Sequence, residues 1–172
     1  GIEIGKNNKR IIEENKEDLN NEEMKKFYEK FRNKIILPQD LGIEVNGKRK
    51  DVSIEEFKGE KIKDIGISTI SKLCEIIPEF EITVINGPCG VFEEEKFALG
   101  TFEVLKAMTK TEYSVVGGGH IATAARLIDV DKKVSHVSTG GGACVRFLSG
   151  EKLIALEIIK DYWEKKWKKF YL

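Results

Sequence analysis

Tyr113–Ser114–Val115–Val116–Gly117–Gly118–Gly119–His120–Ile121–Ala122–Thr123–Ala124–Ala125 reads as a strand, a turn and a helix in unbroken succession. A β-branched run ends in three glycines, and an alanine-rich helical pattern follows at once. The first turn of a helix carries amides without intrahelical partners and sits at the positive end of the helix dipole, so this junction favours a phosphoryl group. Two more glycine-dense segments follow short β-branched runs. Asn86–Gly87–Pro88–Cys89–Gly90–Val91–Phe92–Glu93 comes after Ile82–Ile85, and Ser138–Thr139–Gly140–Gly141–Gly142–Ala143 comes after Val134–Val137. One such cluster alone reads equally well as a tight turn. Three at successive strand ends follow the alternation of an open parallel sheet, in which ligands bind outside the carboxyl ends of the strands. The expected fold is therefore α/β: an open, mainly parallel sheet with helices on both faces, and one crevice lined by the three loops.

Working outward, Lys6 to Asn33 is charge-rich, and Met24, Phe27, Phe31 and Ile35 recur at helical spacing, so one or two surface helices are expected there. Lys34–Ile35–Ile36–Leu37 before Pro38 has the form of a first, buried sheet strand. Residues 41–66 read as a small antiparallel excursion around the hairpin signal Asn46–Gly47. Ser68 is placed to cap a helix carrying Ile70, Leu73, Cys74 and Ile77. Strand Glu81–Ile85, helix Phe97–Met108, strand Tyr113–Val116, helix Ile121–Ile128 and strand Val134–Val137 alternate strictly. A further helix is expected from near Gly142, and a last one through Leu156–Phe170.

The chain of 172 residues allows one domain, or one plus a small appendage. Charged residues make up 34% and the formal net charge is zero, which argues against a broad nucleic-acid footprint or an anionic membrane partner. Cys74, Cys89 and Cys144 are odd in number and lack metal-ligand spacing, so they fit free thiols in a reducing, cytoplasmic setting. No apolar run reaches the length of a membrane span. Neither a Walker loop nor a dinucleotide fingerprint occurs.

The string Asn86-Gly87-Pro88-Cys89-Gly90-Val91-Phe92-Glu93, then Phe97-Ala98-x-Gly100-Thr101, then Val116-Gly117-Gly118-Gly119, then Ser135-His136-Val137-Ser138-Thr139-Gly140-Gly141-Gly142-Ala143, resembles the carboxy-terminal half of phosphoglycerate kinase in order and spacing. Leu37-Pro38-x-Asp40 and Asp64-Ile65-Gly66 resemble earlier marks of that family. The resemblance covers roughly residues 1–150. It implies a glycolytic kinase of two Rossmann-like lobes, of which this chain supplies most of the nucleotide lobe, incomplete at its amino end, with residues 151–172 as a helical tail. ATP or ADP with Mg²⁺ would be the cofactors, and 3-phosphoglycerate or 1,3-bisphosphoglycerate would be held through the absent amino-terminal lobe of a full-length monomer. Glu93 would contact the nucleotide ribose, and Asn86, Pro88 and Val91 would shape the nucleoside pocket. Gly117, Gly118, Gly119 and His120 would lie at the transferred phosphates, with Gly118, Gly119 and His120 as the catalytic group. Ser138, Thr139, Gly140, Gly141 and Gly142 are the further phosphate-loop candidates, and no residue is assigned as a metal ligand.

The chain also departs from the family pattern. His120 and Ile121 stand where the family commonly has aspartate and threonine, and imidazole is a poor substitute for a carboxylate on the hard cation Mg²⁺. His120 is left as a donor to phosphate or as a helix cap. Ser138 and Thr139 are likewise left between phosphate contact and capping. His136 is expected as a hydrogen-bonded core residue, and Cys89 as packing. Trp163 and Trp167, one helical turn apart among lysines, are expected to pack on a neighbouring lobe. The alternative to a kinase is a non-catalytic nucleotide- or phosphate-binding module. On either reading, little or no turnover is expected from the chain alone.

Overall fold

The computed structural model describes residues 22–168, with side chains through Lys166. The amino-terminal part of the helical pattern from Lys6, and the end of the last helix with Trp167, lie outside these limits. Helix α1 (Glu22–Phe31) is the described part of the first pattern, with the Phe27 and Phe31 rings 4.8 Å apart.

Two sheets follow. Strands β1 (Asp40–Val45), β2 (Lys48–Ser53) and β3 (Lys61–Ile65) form an antiparallel sheet in the order β2-β1-β3. The β1–β2 hairpin pairs Val45 with Lys48 across Asn46 (φ 51) and Gly47 (φ 73), the two positive angles of a type I′ turn that the Asn–Gly pair provides. Helix α2 (Ile67–Ile76) then leads into a second, wholly parallel sheet, β4 (Ile82–Asn86), β5 (Tyr113–Gly117) and β6 (His136–Ser138), in the order β4-β5-β6. Helix α3 (Leu99–Met108) connects β4 to β5, and α4 (Gly119–Leu127) connects β5 to β6.

The parallel sheet buries one face against α3 and α4. Ser114 and Val116 of β5 point into a core with Leu105, Ile121, Ala124 and Ala125, all at most 1% exposed. Full burial of each large apolar side chain contributes roughly 1.5–3 kcal/mol. The opposite face is only partly covered. Helix α5 (Gly141–Leu148) packs beside Gly117 of β5, while Ile82, Val84 and Tyr113 remain 64%, 47% and 49% exposed. Helix α6 (Ile154–Lys168) closes the described chain, with Trp163 exposed and Lys166 Nζ 5.4 Å from its ring.

Three expectations require correction. Ile35–Pro38 is not a strand: a short 3₁₀ turn, Arg32–Lys34, precedes it, Ile36 and Leu37 are exposed, and no strand among the described residues runs beside it. A buried parallel strand needs a neighbour on each side and cover on each face. Ser68 does not cap α2, which begins after Gly66. The cap comes from Asp40, whose carboxylate accepts the Ser68 and Thr69 amides at 2.8 Å each and the Thr69 hydroxyl at 2.7 Å. His136 opens the three-residue edge strand β6 and is exposed rather than in the core.

Candidate functional site

The carboxyl ends of β4, β5 and β6 are adjacent because the strands are parallel and in register, with Asn86 beside Gly117 and Gly117 beside Ser138. The loops leaving them therefore meet. A Cβ placed on Gly141 would lie 3.0 Å from both Asn86 Oδ1 and the Gly118 Cα, so the first residue of α5 touches the other two loops. Gly118 itself sits at φ 114, ψ 144, a conformation that side chains strongly disfavour, and its amide donates to the Ser138 carbonyl at 2.7 Å. That geometry turns the chain from β5 into α4, leaving Gly119 and His120 as the first two helical residues, both exposed.

The Asn86–Glu93 loop is held from below. The Val91 amide donates to the Lys63 carbonyl at 2.8 Å, and the Cys89 and Gly90 amides donate to the Thr101 hydroxyl at 3.1 and 3.3 Å. Lys63 forms ion pairs with Glu44 (2.8 Å) and Glu94 (2.6 Å) and lies over the Phe97 ring. Asp64, fully buried, accepts from Arg49 Nη1 at 2.7 Å and from the Gly100 amide at 2.9 Å. The antiparallel sheet is thus the footing of the loop. Asn86 and Val91 are exposed at the rim and Pro88 is half-buried. Cys89 is packed beneath them, and burial pushes its thiol up to about 11, as suits a packing residue.

His120 and Glu93, which the sequence separates by 27 positions, are in contact: His120 Nε2 bonds Glu93 Oε1, and the imidazole lies 4.9 Å from the Phe92 ring. The His120 contact, first among the causes, holds the Glu93 carboxyl below the usual glutamate range. His120 is therefore no side-chain cap of α4, and Ser138 and Thr139 are none of α5, whose N-cap is Gly140 without a capping side chain. The pairing of His120 with Glu93 carries no signal in the sequence, since it joins two loops through the fold.

Compared with known families, residues 1–151 match the model of the family Phosphoglycerate kinase. The chain belongs to the phosphoglycerate kinase family. A phosphoglycerate kinase of Archaeoglobus fulgidus is 58% identical over 170 residues, covering 98% of this chain and 42% of that protein. One of Methanothermus fervidus is 40% identical over 162 residues, covering 94% of this chain and 40% of that protein. The crystal structure of phosphoglycerate kinase from Pyrococcus horikoshii superposes with a TM-score of 0.77 at 32% identity, over 92% of this chain and 40% of that one. The chain thus spans about two-fifths of the length of these phosphoglycerate kinases.

Proposed function

We propose that the chain is the carboxy-terminal, nucleotide-binding lobe of a phosphoglycerate kinase, incomplete at its amino end over residues 1–150 and followed by a helical tail over 151–172. The complete enzyme would move a phosphoryl group reversibly from the acyl phosphate of 1,3-bisphosphoglycerate to ADP, giving 3-phosphoglycerate and ATP, in the cytoplasm and as a monomer. The observation that carries this reading is the meeting of Asn86, Gly118 and Gly141 at the ends of three parallel strands. Glu93 would receive the ribose, with Asn86, Pro88 and Val91 around the nucleoside. The Gly117–Gly119 turn, whose Gly118 amide is taken by the Ser138 carbonyl, and the start of α5 at Gly140–Gly142 would lie at the phosphates, with Ser138 and Thr139 beside them.

Phosphoryl transfer asks the protein mainly for positioning and for charge neutralisation on the equatorial oxygens. Backbone amides and two helix dipoles supply one side of that. His120 offers imidazole where Mg²⁺ prefers oxygen, and among the described residues no group of three or more His, Cys, Asp or Glu side chains is placed to hold a metal ion. Cationic side chains and the triose phosphate would come from parts of the enzyme outside these 172 residues, so this chain alone is expected to turn over weakly or not at all.

Gly142→Asp tests the crevice. The position is exposed, a Cβ there meets nothing within 4 Å, and an acidic residue in the first turn of a helix is favourable. The fold should stand, while a carboxylate beside the phosphates should weaken Mg-ADP binding at least about tenfold, or ~1.4 kcal/mol. Calorimetric titration giving the same affinity for both forms would remove the proposed phosphate site.

A further inference from the structure

The geometry points to His120 as a positioning residue for Glu93, one that sets how well the crevice distinguishes a nucleotide by its sugar hydroxyls; this rests on the nucleotide-lobe reading above. Both side chains are on the surface, 61% and 50% exposed, where a glutamate ordinarily samples many rotamers. Here the carboxylate is tied by His120 Nε2, and the imidazole is itself braced against the buried Phe92 ring at 4.9 Å. The tie spans the first glycine loop and the second residue of α4, so it joins the two walls of the crevice at its mouth.

The chemistry of the pair fixes its direction. An ionised carboxylate only accepts, so Nε2 must carry the proton and donate it. The Nε2 proton is thereby committed to Glu93, so the histidine serves the sugar side of the site through that carboxylate. A carboxylate has two oxygens and about four acceptor positions. The histidine takes one, leaving capacity for vicinal hydroxyls of a nucleoside diphosphate. Holding the acceptor in place before binding removes an ordering cost that free glutamate would meet on each encounter.

The test compares Mg-ADP with Mg-2′,3′-dideoxy-ADP by titration calorimetry on the full chain. The unaltered protein should bind ADP about tenfold more tightly than the dideoxy analogue. His120→Ala and Glu93→Gln should each bring that ratio close to one, the double variant should be no worse than either alone, and His120→Gln, which keeps an N–H donor, should retain most of it. Thermal melting serves as the folding control, because truncating an exposed side chain should leave the midpoint unchanged. A ratio lost in Glu93→Gln but kept in His120→Ala would overturn the positioning role and leave the nucleotide site intact. Equal binding of both nucleotides by the unaltered protein would also overturn it. No binding of either nucleotide would overturn the nucleotide-lobe reading and this inference with it.

Discussion

Asp64→Ala strikes the joint between the antiparallel sheet and the crevice. The carboxylate is fully buried and accepts from Arg49 Nη1 (2.7 Å), the Gly100 amide (2.9 Å) and the Ile65 amide (2.9 Å). Removing one member of a buried ion pair costs ~3–5 kcal/mol, and an orphaned buried amide costs ~1–3 kcal/mol. The two losses overlap, because Arg49 keeps Asp51 at 2.9 Å and the Ile65 carbonyl at 3.0 Å. The expected net loss is therefore ~3–4 kcal/mol, near the lower end for a broken buried pair. Asp64→Asn retains one acceptor oxygen but turns an NH₂ toward a donor, and should cost ~2 kcal/mol. The effect should reach the site, since Val91 hangs from the neighbouring Lys63 carbonyl. Urea denaturation followed by circular dichroism measures the first effect, and hydrogen exchange at the Val91 amide measures the second. A loss below ~1 kcal/mol for Asp64→Ala, or unchanged exchange at Val91, would refute the reasoning.

Asp40 gives a pH prediction. Burial works against its ionisation, yet the Thr69 hydroxyl and the Ser68 and Thr69 amides prevail and hold its carboxyl below the ordinary 3.8. A carboxyl depressed by folding contributes stability that is fully present above its unfolded value and lost as pH falls through the folded one. The urea midpoint should thus drop below about pH 4 less steeply in Asp40→Asn than in the parent protein, and parallel acid limbs would contradict the assignment. Cys89 behaves in the opposite sense: its thiol stays protonated to about 11 against an ordinary 9.0, so its contribution is intact below 9.0 and is lost across that interval. Alkylation by iodoacetamide at about pH 8 should be far slower at Cys89 than in a free thiol of ordinary pKa, and mass spectrometry showing equal rates would count against the buried setting. Val84→Ser should cost little in this chain, where the side chain is 47% exposed, and ~1–2 kcal/mol in a protein of full family length that covers the face. Equal denaturation shifts in the two lengths would show that the face stays bare.

Much of the architecture was legible because its signals are local. The alternation of β-branched runs, glycine loops and helical patterns located β4, β5, β6, α3, α4 and α5 to within two or three residues, and Asn46–Gly47 marked the hairpin. The gathering of the three loops followed from parallel pairing alone. What the sequence concealed is long-range. Asp40 caps a helix that starts far downstream, Lys63 pairs with Glu94 across 31 positions, and His120 reaches back 27 to Glu93. Ile35–Leu37 looked like a strand because an apolar run before proline says nothing about whether a neighbouring strand exists. His136 looked internal because strand periodicity cannot tell an edge from a centre.

The two faces of the parallel sheet connect the length of the chain to its chemistry. Side chains alternate along a strand, so Ile82, Val84 and Asn86 share a face with their in-register partners Tyr113, Val115 and Gly117. Ile82, Val84 and Tyr113 on that face are exposed, whereas Asn86 and Gly117 lie where the three loops meet. Parallel sheets are stable when both faces are covered. On the proposed reading, the polypeptide that completes the lobe would lie over Ile82, Val84 and Tyr113, and its own strand ends would come out beside Asn86. Closing the hydrophobic layer and bringing the missing phosphate-binding groups to the crevice are then one event. On that reading the described strands β4, β5 and β6 would bring amides to one side of a polyphosphate, and the cations for the other side would arrive with the completing polypeptide.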